Sequence, residues 1–331
     1  MTHTCRICLK CDRHQTFVFR ERMFGRGDAF EYFRCNGCGC LQITSVPHDM
    51  ARFYPPHYYS FQLQPVSQSG WKARLAAHRD SAVATNRGWP GRVLACFIPP
   101  RLDVQCLRRV PLRKDMRILD VGCGRGQLLS VLHRAGFRRL LGVDPFLAED
   151  VEVLPGLRVE KRKLSAIEQQ FDFIMLHHAF EHVEDGLGLL NACRERLAPG
   201  GTIMLRFPTV AGAAWGRYGE HWVQLDAPRH LVLHTLASLE QLADRAGLRM
   251  MRHWCDSTVF QFLGSELYLK GLPLVEASGR PVPFESHFTR GQIRQFSRAA
   301  AALNRDGLGD QLVVLLKRAS EPGLVPQDAA K

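Results

Sequence analysis

The chain has 331 residues, a mean hydropathy of -0.15 and 23% charged residues, which is typical of a globular protein with one large domain and a small appendage. No run of apolar residues approaches the roughly 18 that a membrane span needs, and no apolar signal region follows Met1, so we expect a cytoplasmic chain without a transmembrane segment. The formal net charge of +12 points to anionic partners, which include small molecules, nucleic acids and membrane surfaces.

Six of the eleven cysteines lie in the first forty residues. In a reducing compartment, thiols clustered in this way are typical of metal ligands rather than disulfides. Two C-x-x-C pairs have the spacing that tetrahedral zinc favours. The predicted ligands of a structural Zn²⁺ are Cys5, Cys8, Cys35 and Cys38. Cys11 and Cys40 leave this set open, since either could replace a ligand. We therefore predict a zinc ribbon over residues 1–45, and its simplest role is to staple a unit too small to fold by itself.

Residues 46–115 are predicted to form an aromatic linker followed by a basic helical segment that ends at Pro99-Pro100. Between Trp71 and Arg117 ten basic residues face only three acidic ones. A solvated helical linker is the simplest interpretation. Contact with an anionic substrate, a nucleic acid or a membrane surface is the alternative.

From residue 116 onward strands and helices alternate. Strands are predicted at 117–121, 140–143, 157–160, 171–176, 202–207, 249–255 and 311–316, and helices at 126–135, 185–197 and 235–246. This alternation predicts an α/β, Rossmann-like fold: a seven-stranded, mostly parallel sheet with helices on both faces. We assign this domain to residues 116–320, with a flexible tail at 321–331.

A glycine turn directly after the first of these strands is the most informative motif. Gly122, Gly124 and Gly126 let the backbone turn sharply and approach a ligand. The third glycine comes one place early for a dinucleotide loop, and Asp120 is a poor neighbour for a pyrophosphate. Its carboxylate suits a ligand that carries an ammonium group and a sulfonium. Asp144, at the end of the next strand, is placed to accept both ribose hydroxyls.

Together with residues 171–174 and 197–201, this turn resembles the successive motifs of class I S-adenosylmethionine (SAM)-dependent methyltransferases. The resemblance implies SAM as the cofactor, bound by Asp120, Gly122, Gly124, Gly126, Asp144 and the backbone of His177. Residues 163–165 depart from the family pattern for the adenine contact, which stays open. The cysteine region with its Tyr-Pro and Tyr-Tyr residues is similar to bacterial sugar and polysaccharide-cluster methyltransferases.

Histidines and a glutamate follow the fourth strand and are suited to remove a substrate proton. The candidate catalytic residues are Glu181, His182, His178 and, farther along the chain, His230. Glu181-His182 resembles the Glu-His pair of quinone and sugar methyltransferases. The same stretch matches the H-x-x-E-H signature of zinc proteases, which requires a helix that presents both histidines. Capping or packing of the following helix is the simpler alternative.

Residues 218–231 follow the fifth strand and are rich in aromatic and charged side chains. The predicted substrate contacts are Tyr218, Trp222, Asp226 and Arg229. Arg229 would hold a phosphate or carboxylate. A structural Asp226–Arg229 ion pair is the alternative.

The leading interpretation is a methyltransferase that acts on oxygen or carbon of a small molecule, such as an anionic nucleotide-linked sugar or a glycan precursor. An RNA methyltransferase that uses the basic segment and the ribbon is the second interpretation, although nucleic acid is the less favoured partner. A non-enzymatic, zinc-dependent binding module is the third. Peripheral contact with a membrane stays open.

Overall fold

A computed structural model describes residues 2–55, 70–110 and 112–319. The aromatic residues at 56–69 and the predicted tail at 321–331 lie outside the described residues. The domain boundaries predicted at 45, 115 and 320 stay predictions. Among the described helices none is long and apolar enough to span a membrane.

The strands are β1 (His3–Thr4), β2 (Cys11–Asp12), β3 (Gln15–Arg20), β4 (Ala29–Arg34), β5 (Leu41–Ile43), β6 (Ile118–Val121), β7 (Leu140–Val143), β8 (Val151–Leu154), β9 (Leu157–Glu160), β10 (Phe171–His177), β11 (Leu197–Pro208), β12 (Val232–Leu233), β13 (Leu248–Cys255) and β14 (Gln311–Arg318). The α-helices are α1 (Trp71–Thr85), α2 (Trp89–Phe97), α3 (Leu102–Gln105), α4 (Gln127–Arg134), α5 (Gly186–Glu195), α6 (Ala213–Tyr218), α7 (Leu236–Arg245), α8 (Phe260–Leu269) and α9 (Arg290–Arg305). Every predicted strand and helix corresponds to one of these elements, although β11 begins at Leu197 rather than at residue 202.

The large sheet is of the mixed α/β, Rossmann-like kind, with the strand order β13-β14-β11-β10-β6-β7-β9-β8. Strand β6 pairs in parallel with β10 and β7, and β7 pairs in parallel with β9. All four residues of β6 are buried, as expected for a central strand that is covered on both faces.

The prediction of seven strands is wrong, because the sheet contains eight. The additional strand is β8, which pairs antiparallel with β9 across a tight turn. Gly156, in that turn, has φ 79°, a left-handed conformation that glycine adopts without strain. No residue of β8 is buried and Glu152 is exposed, so the strand lacks the buried apolar residues by which the other strands were recognised from sequence.

Two compact units can be described separately. One contains residues 56–179 and 192–205 and carries the glycine turn. The other contains residues 1–55, 180–191 and 206–331 and carries the cysteine pairs.

In the second unit, β3, β4, β5 and β12 form a four-stranded sheet in the order β12-β5-β4-β3. Strand β12 pairs antiparallel with β5, and the amide of Ile43 donates to the carbonyl of Leu231 at 3.0 Å. Residues near position 232 therefore complete the sheet that the N-terminal segment begins. Helix α7 follows directly and begins at a capping box, in which the Thr235 hydroxyl accepts from the amide of Ser238.

Candidate functional site

The glycine turn connects β6 to α4 in the compact unit that contains residues 56–179. Gly122 has φ 71°, and a Cβ atom there would lie 2.6 Å from the Cβ of Ala179. Gly126 has φ 74°, and a Cβ atom there would lie 2.6 Å from a methyl carbon of Val159. Since real Cβ atoms do not approach so closely, only glycine fits these two positions. The turn is therefore fixed by both its dihedral angles and its packing.

Asp120 lies at the end of β6, directly before this turn, and is almost fully buried. Its Oδ1 atom is buried and has no hydrogen-bond partner among the residues that the structure describes. Burial raises the pKa of Asp120 well above its ordinary value, and the negative charges of Asp103 and Asp144 add to the effect. A buried carboxyl group without a partner is costly unless a cation faces it. The environment of Asp120 therefore fits a positively charged ligand group.

Asp144 follows β7 and is held by two backbone amides. Its Oδ2 atom accepts from the amide of Gly124 at 2.9 Å, and its Oδ1 atom accepts from the amide of Phe146 at 2.9 Å. These bonds orient the carboxylate, and each oxygen retains capacity to accept another hydrogen bond. Such a carboxylate suits the paired hydroxyls of a ribose.

The two histidines after β10 differ in backbone conformation. His177 is the last residue of that strand, whereas His178 has φ 51°, in the left-handed region that non-glycine residues rarely adopt. The next regular element is a single 3₁₀ turn, Phe180–His182. No helix among the described residues carries both His178 and His182, so the arrangement does not fit a zinc protease.

Glu181, His182 and His230 come together in the other compact unit. One ligand atom from each lies within 4.8 Å of the other two, so the three side chains could hold a metal ion. The His182 and His230 rings have centroids 4.8 Å apart, and Nε2 of His230 lies 4.0 Å from a carboxylate oxygen of Glu181. Sequence analysis therefore identified three residues that the fold places in one cluster.

His182 is held in a defined tautomer. Its Nδ1 atom lies 2.8 Å from the carbonyl oxygen of Arg229, to which it donates, so the neutral ring carries its lone pair on Nε2. Burial lowers the pKa of His182, and the charge of His230 lowers it further. The imidazole is therefore neutral at pH 7 and able to accept a proton.

Arg229 lies beside this cluster but has no exposed surface. Its Nη2 atom lies 2.8 Å from Oε1 of Glu21, its Nε atom donates to Asp226 at 3.0 Å, and its Nη1 atom donates to the carbonyl of Phe53 at 3.2 Å. Burial opposes ionisation of Asp226, but the Arg229 guanidinium outweighs it and lowers the pKa of that carboxyl group. These contacts favour the structural alternative for Asp226 and Arg229.

Trp222 and Tyr218 are also enclosed. Trp222 is fully buried and its Nε1 donates to Asp310 at 2.9 Å. The Tyr218 hydroxyl donates to Glu266 at 2.8 Å, and burial raises the pKa of Tyr218. Side chains in such positions organise the region after β11, and their predicted contact with a substrate stays a prediction.

The four cysteines of the C-x-x-C pairs lie close together. The sulfur atoms of Cys5, Cys8, Cys35 and Cys38 all lie within 4.8 Å of one another. The amide of Ile7 donates to the Cys5 sulfur at 3.3 Å, and the amide of Gly37 donates to the Cys35 sulfur at 3.3 Å. Four clustered sulfurs with amide donors suit a tetrahedral zinc ion, which would have no open position for water.

The two additional cysteines differ in their burial and in their distance from the four sulfur atoms. Cys11 is exposed, whereas Cys40 is fully buried with its sulfur 3.2 Å from that of Cys38 and 3.8 Å from that of Cys5. The side-chain amide of Gln42 donates to the sulfurs of both Cys5 and Cys40 at 2.9 Å. Cys40 is therefore the fifth thiol of the cluster, and Cys11 lies outside it.

Comparison with known proteins identifies the central part of the chain. A family model described as a methyltransferase domain matches residues 99–253. This part of the chain is similar to methyltransferase domains. The glycine turn, Asp120, Asp144 and the Glu181–His182–His230 cluster all lie within the matched residues.

Curated relatives match about two fifths of the chain. The ubiquinone biosynthesis O-methyltransferase of Xanthomonas campestris pv. campestris is 34% identical over 138 residues, which are 38% of this chain and 57% of that protein. The protein of the same name from Xylella fastidiosa is 33% identical over 142 residues, 38% of this chain and 56% of that protein. The chain thus spans about half the length of the curated relatives it matches.

Among solved structures, a SAM-dependent methyltransferase from Archaeoglobus fulgidus covers 68% of this chain and 98% of its own, with 19% identity and a TM-score of 0.42.

Sequence analysis missed residues that lie far away along the chain. Glu21, the second carboxylate on Arg229, is 208 positions from it. The Tyr54 hydroxyl lies 3.3 Å from Nδ1 of His182, 128 positions away. Phe146, two positions after Asp144, is 80% exposed, and nothing in the sequence distinguishes this exposed ring from a buried one.

Proposed function

We propose that the whole chain transfers the methyl group of SAM to an oxygen atom of a small-molecule acceptor. The glycine turn with its buried carboxylate, Asp120, is the observation that carries the proposal. Its unpartnered oxygen and the nearby negative charge of Asp144 favour a cationic ligand over a diphosphate. When bound, SAM supplies an electrophilic methyl group on a positively charged sulfur.

Asp144 would accept hydrogen bonds from the ribose hydroxyls, because its two oxygens are already fixed by the amides of Gly124 and Phe146. The exposed ring of Phe146 offers a flat apolar surface on which a purine would stack. Phe146 would therefore supply the adenine contact that residues 163–165 do not suggest.

Proton removal from the acceptor would fall to His182. Its ring is neutral at pH 7, and its Nδ1–H is fixed on the Arg229 carbonyl, which leaves the Nε2 lone pair for a proton. Glu181 would stabilise the imidazolium that forms, since a carboxylate oxygen of Glu181 lies within 4.8 Å of a ring nitrogen of His182. His178 is the second candidate base, because its left-handed backbone turns the chain directly after β10.

The relatives named as O-methyltransferases favour oxygen over carbon as the methylated atom. A nucleotide-linked sugar or glycan precursor is the acceptor class suggested by the cysteine-rich N-terminal region. The buried, fully engaged Arg229 is not placed to hold its phosphate, so anion recognition would fall to other residues. Zn²⁺ bound by Cys5, Cys8, Cys35 and Cys38 would be structural.

The test uses the purified full chain with methyl-labelled SAM. Catechol-type and nucleotide-sugar acceptors are offered separately, and transferred label is measured with the Asp120→Asn variant as control. We expect label in one acceptor class, carried on oxygen, and loss of transfer in the variant. Calorimetry that detects NADH binding but no SAM binding would refute the proposal.

A further inference from the structure

Helix α2 presents a continuous apolar stripe on its outer face. Trp89, Val93 and Phe97 recur every four residues and therefore lie on one side of the helix. Trp89 is 76% exposed, Val93 48% and Phe97 81%. Single exposed apolar residues are ordinary on a protein surface, whereas an aligned row of three with two aromatic rings marks an interaction site.

The opposite face of α2 is tightly packed, so the stripe is not the edge of a loose helix. Gly91 is buried, and a Cβ atom there would lie 2.5 Å from Ala82 and 2.9 Å from the carbonyl oxygen of His78, both in α1. This close approach fixes the rotation of α2. Trp89 and Val93 each lie two positions from Gly91, about 200° around the helix, and must therefore point away from α1.

Apolar exposure extends beyond α2 in the same segment. Ile98 and Leu102, which follow the helix, are each about half exposed. Trp71 and Leu75, one turn apart on α1, are exposed as well. The helical segment 70–110 therefore carries most of the large exposed apolar side chains among the described residues.

The same segment is strongly basic. Eight of its residues are Lys or Arg and two are Asp. Both acids are already engaged, because Asp80 pairs with Arg79 at 2.8 Å and Asp103 pairs with Arg101 at 3.1 Å. The exposed cations are Lys72, Arg74, Arg87, Arg92, Arg101, Arg108 and Arg109. Apolar rings among cations match the chemistry of an anionic lipid surface, in which acyl chains lie beneath charged headgroups.

We propose that α2, with the flanking residues of segment 70–110, docks this protein on an anionic membrane surface. Trp89 and Phe97 insert at the headgroup level, where aromatic rings are favoured, and Arg87 and Arg92 contact lipid phosphates. A nine-residue helix is too short to span the bilayer, so it lies in the plane of the interface.

Two other occupants fit less well. A second copy of the chain would bring two surfaces of the same positive sign together, which repel. A nucleic acid would satisfy the cations and stack on the aromatic rings, but Val93, Ile98 and Leu102 would find no apolar partner along its phosphates. An anionic lipid surface is the occupant that contacts both the basic and the apolar side chains of the segment.

The test measures sedimentation of the full chain with vesicles, without SAM or acceptor, so its result is independent of the proposed methyl transfer. One vesicle preparation is pure phosphatidylcholine, and the other contains equal parts phosphatidylcholine and phosphatidylglycerol. We expect binding to the anionic vesicles that weakens as salt is added. Each basic side chain near such a surface contributes about fivefold to the partition coefficient, so Arg87→Glu with Arg92→Glu should reduce it by about 25-fold or more.

The double variant Trp89→Ser with Phe97→Ser tests the apolar part and should reduce binding at least about tenfold. Val18→Ser is its control, because Val18 is an exposed apolar residue (62%) outside the segment, and this variant should bind as the parent does. Equal binding to neutral and anionic vesicles, or unchanged binding of the Trp89/Phe97 variant, would overturn the proposal. The proposal would also be overturned if the parent does not bind vesicles and the Trp89/Phe97 variant loses a dimer or an RNA gel shift that the parent shows.

Discussion

Replacement of Arg229 by Met removes a buried charge while keeping an apolar side chain of similar length. The guanidinium faces two carboxylates, Glu21 at 2.8 Å and Asp226 at 3.0 Å, and neither Arg229 nor Glu21 has exposed surface. The variant would leave those charges buried without a counterion, which costs about 3–5 kcal/mol of unfolding free energy. Arg217→Met is the matched control, because the Arg217–Glu266 pair at 3.2 Å is partly exposed and should contribute about 0–1 kcal/mol.

Urea unfolding followed by tryptophan fluorescence measures both variants at pH 7. The pH dependence gives a second readout. The folded-state pKa of Asp226 is lowered, so its contribution to stability is present above the unfolded pKa of about 3.9 and is lost as the pH falls through the folded pKa. In Arg229→Met, protonation of the carboxylates relieves the unpaired charge, so the difference from the parent should narrow in acid. If Arg229→Met unfolds at the parental midpoint but raises the KM for the acceptor, Arg229 is a substrate residue and our structural assignment is wrong.

Three further predictions concern the candidate sites. Asp120→Asn should weaken SAM binding, measured by calorimetry, by about 10–100-fold. In the parent, SAM affinity should rise as the pH rises through the elevated pKa of Asp120, because the carboxyl group then ionises, and the variant should lack this pH dependence. Equal affinities in parent and variant would exclude Asp120 from the cofactor site. His182→Gln should lower kcat by about 10²–10⁴-fold with little change in the KM for SAM. In the parent, the acidic limb of the pH profile of kcat should lie below pH 6.5, because burial lowers the pKa of His182, and the variant should lack this limb. An acidic limb retained in the variant would show that another residue is the base. Metal analysis should find zinc in Cys11→Ser but not in Cys38→Ser, because only the latter sulfur lies in the cluster; zinc retained in Cys38→Ser would indicate that Cys40 supplies the fourth ligand.

The features that sequence analysis predicted are those encoded within a few neighbouring residues. The order of strand, glycine turn and helix around Asp120 is local, and so is the acidic end of β7 at Asp144. The geometry of each C-x-x-C pair is also local, because a single tight turn places its two sulfur atoms. What sequence analysis missed depends on distant segments or on a strand with little burial. Glu21 contacts Arg229 across 208 positions, and β8 has no buried residue.

The sheet shared by β3, β4, β5 and β12 has a consequence for synthesis of the chain. The Tyr32 hydroxyl donates to the carbonyl of His230, 198 positions downstream, and β12 covers the edge of β5. During translation the edge of β5 therefore stays unpaired until the residues of β12 leave the ribosome. An isolated fragment that ends near residue 55 would keep this edge exposed and tend to pair with other chains. The cysteine cluster, whose ligands span only residues 5–38, is able to order the segment meanwhile.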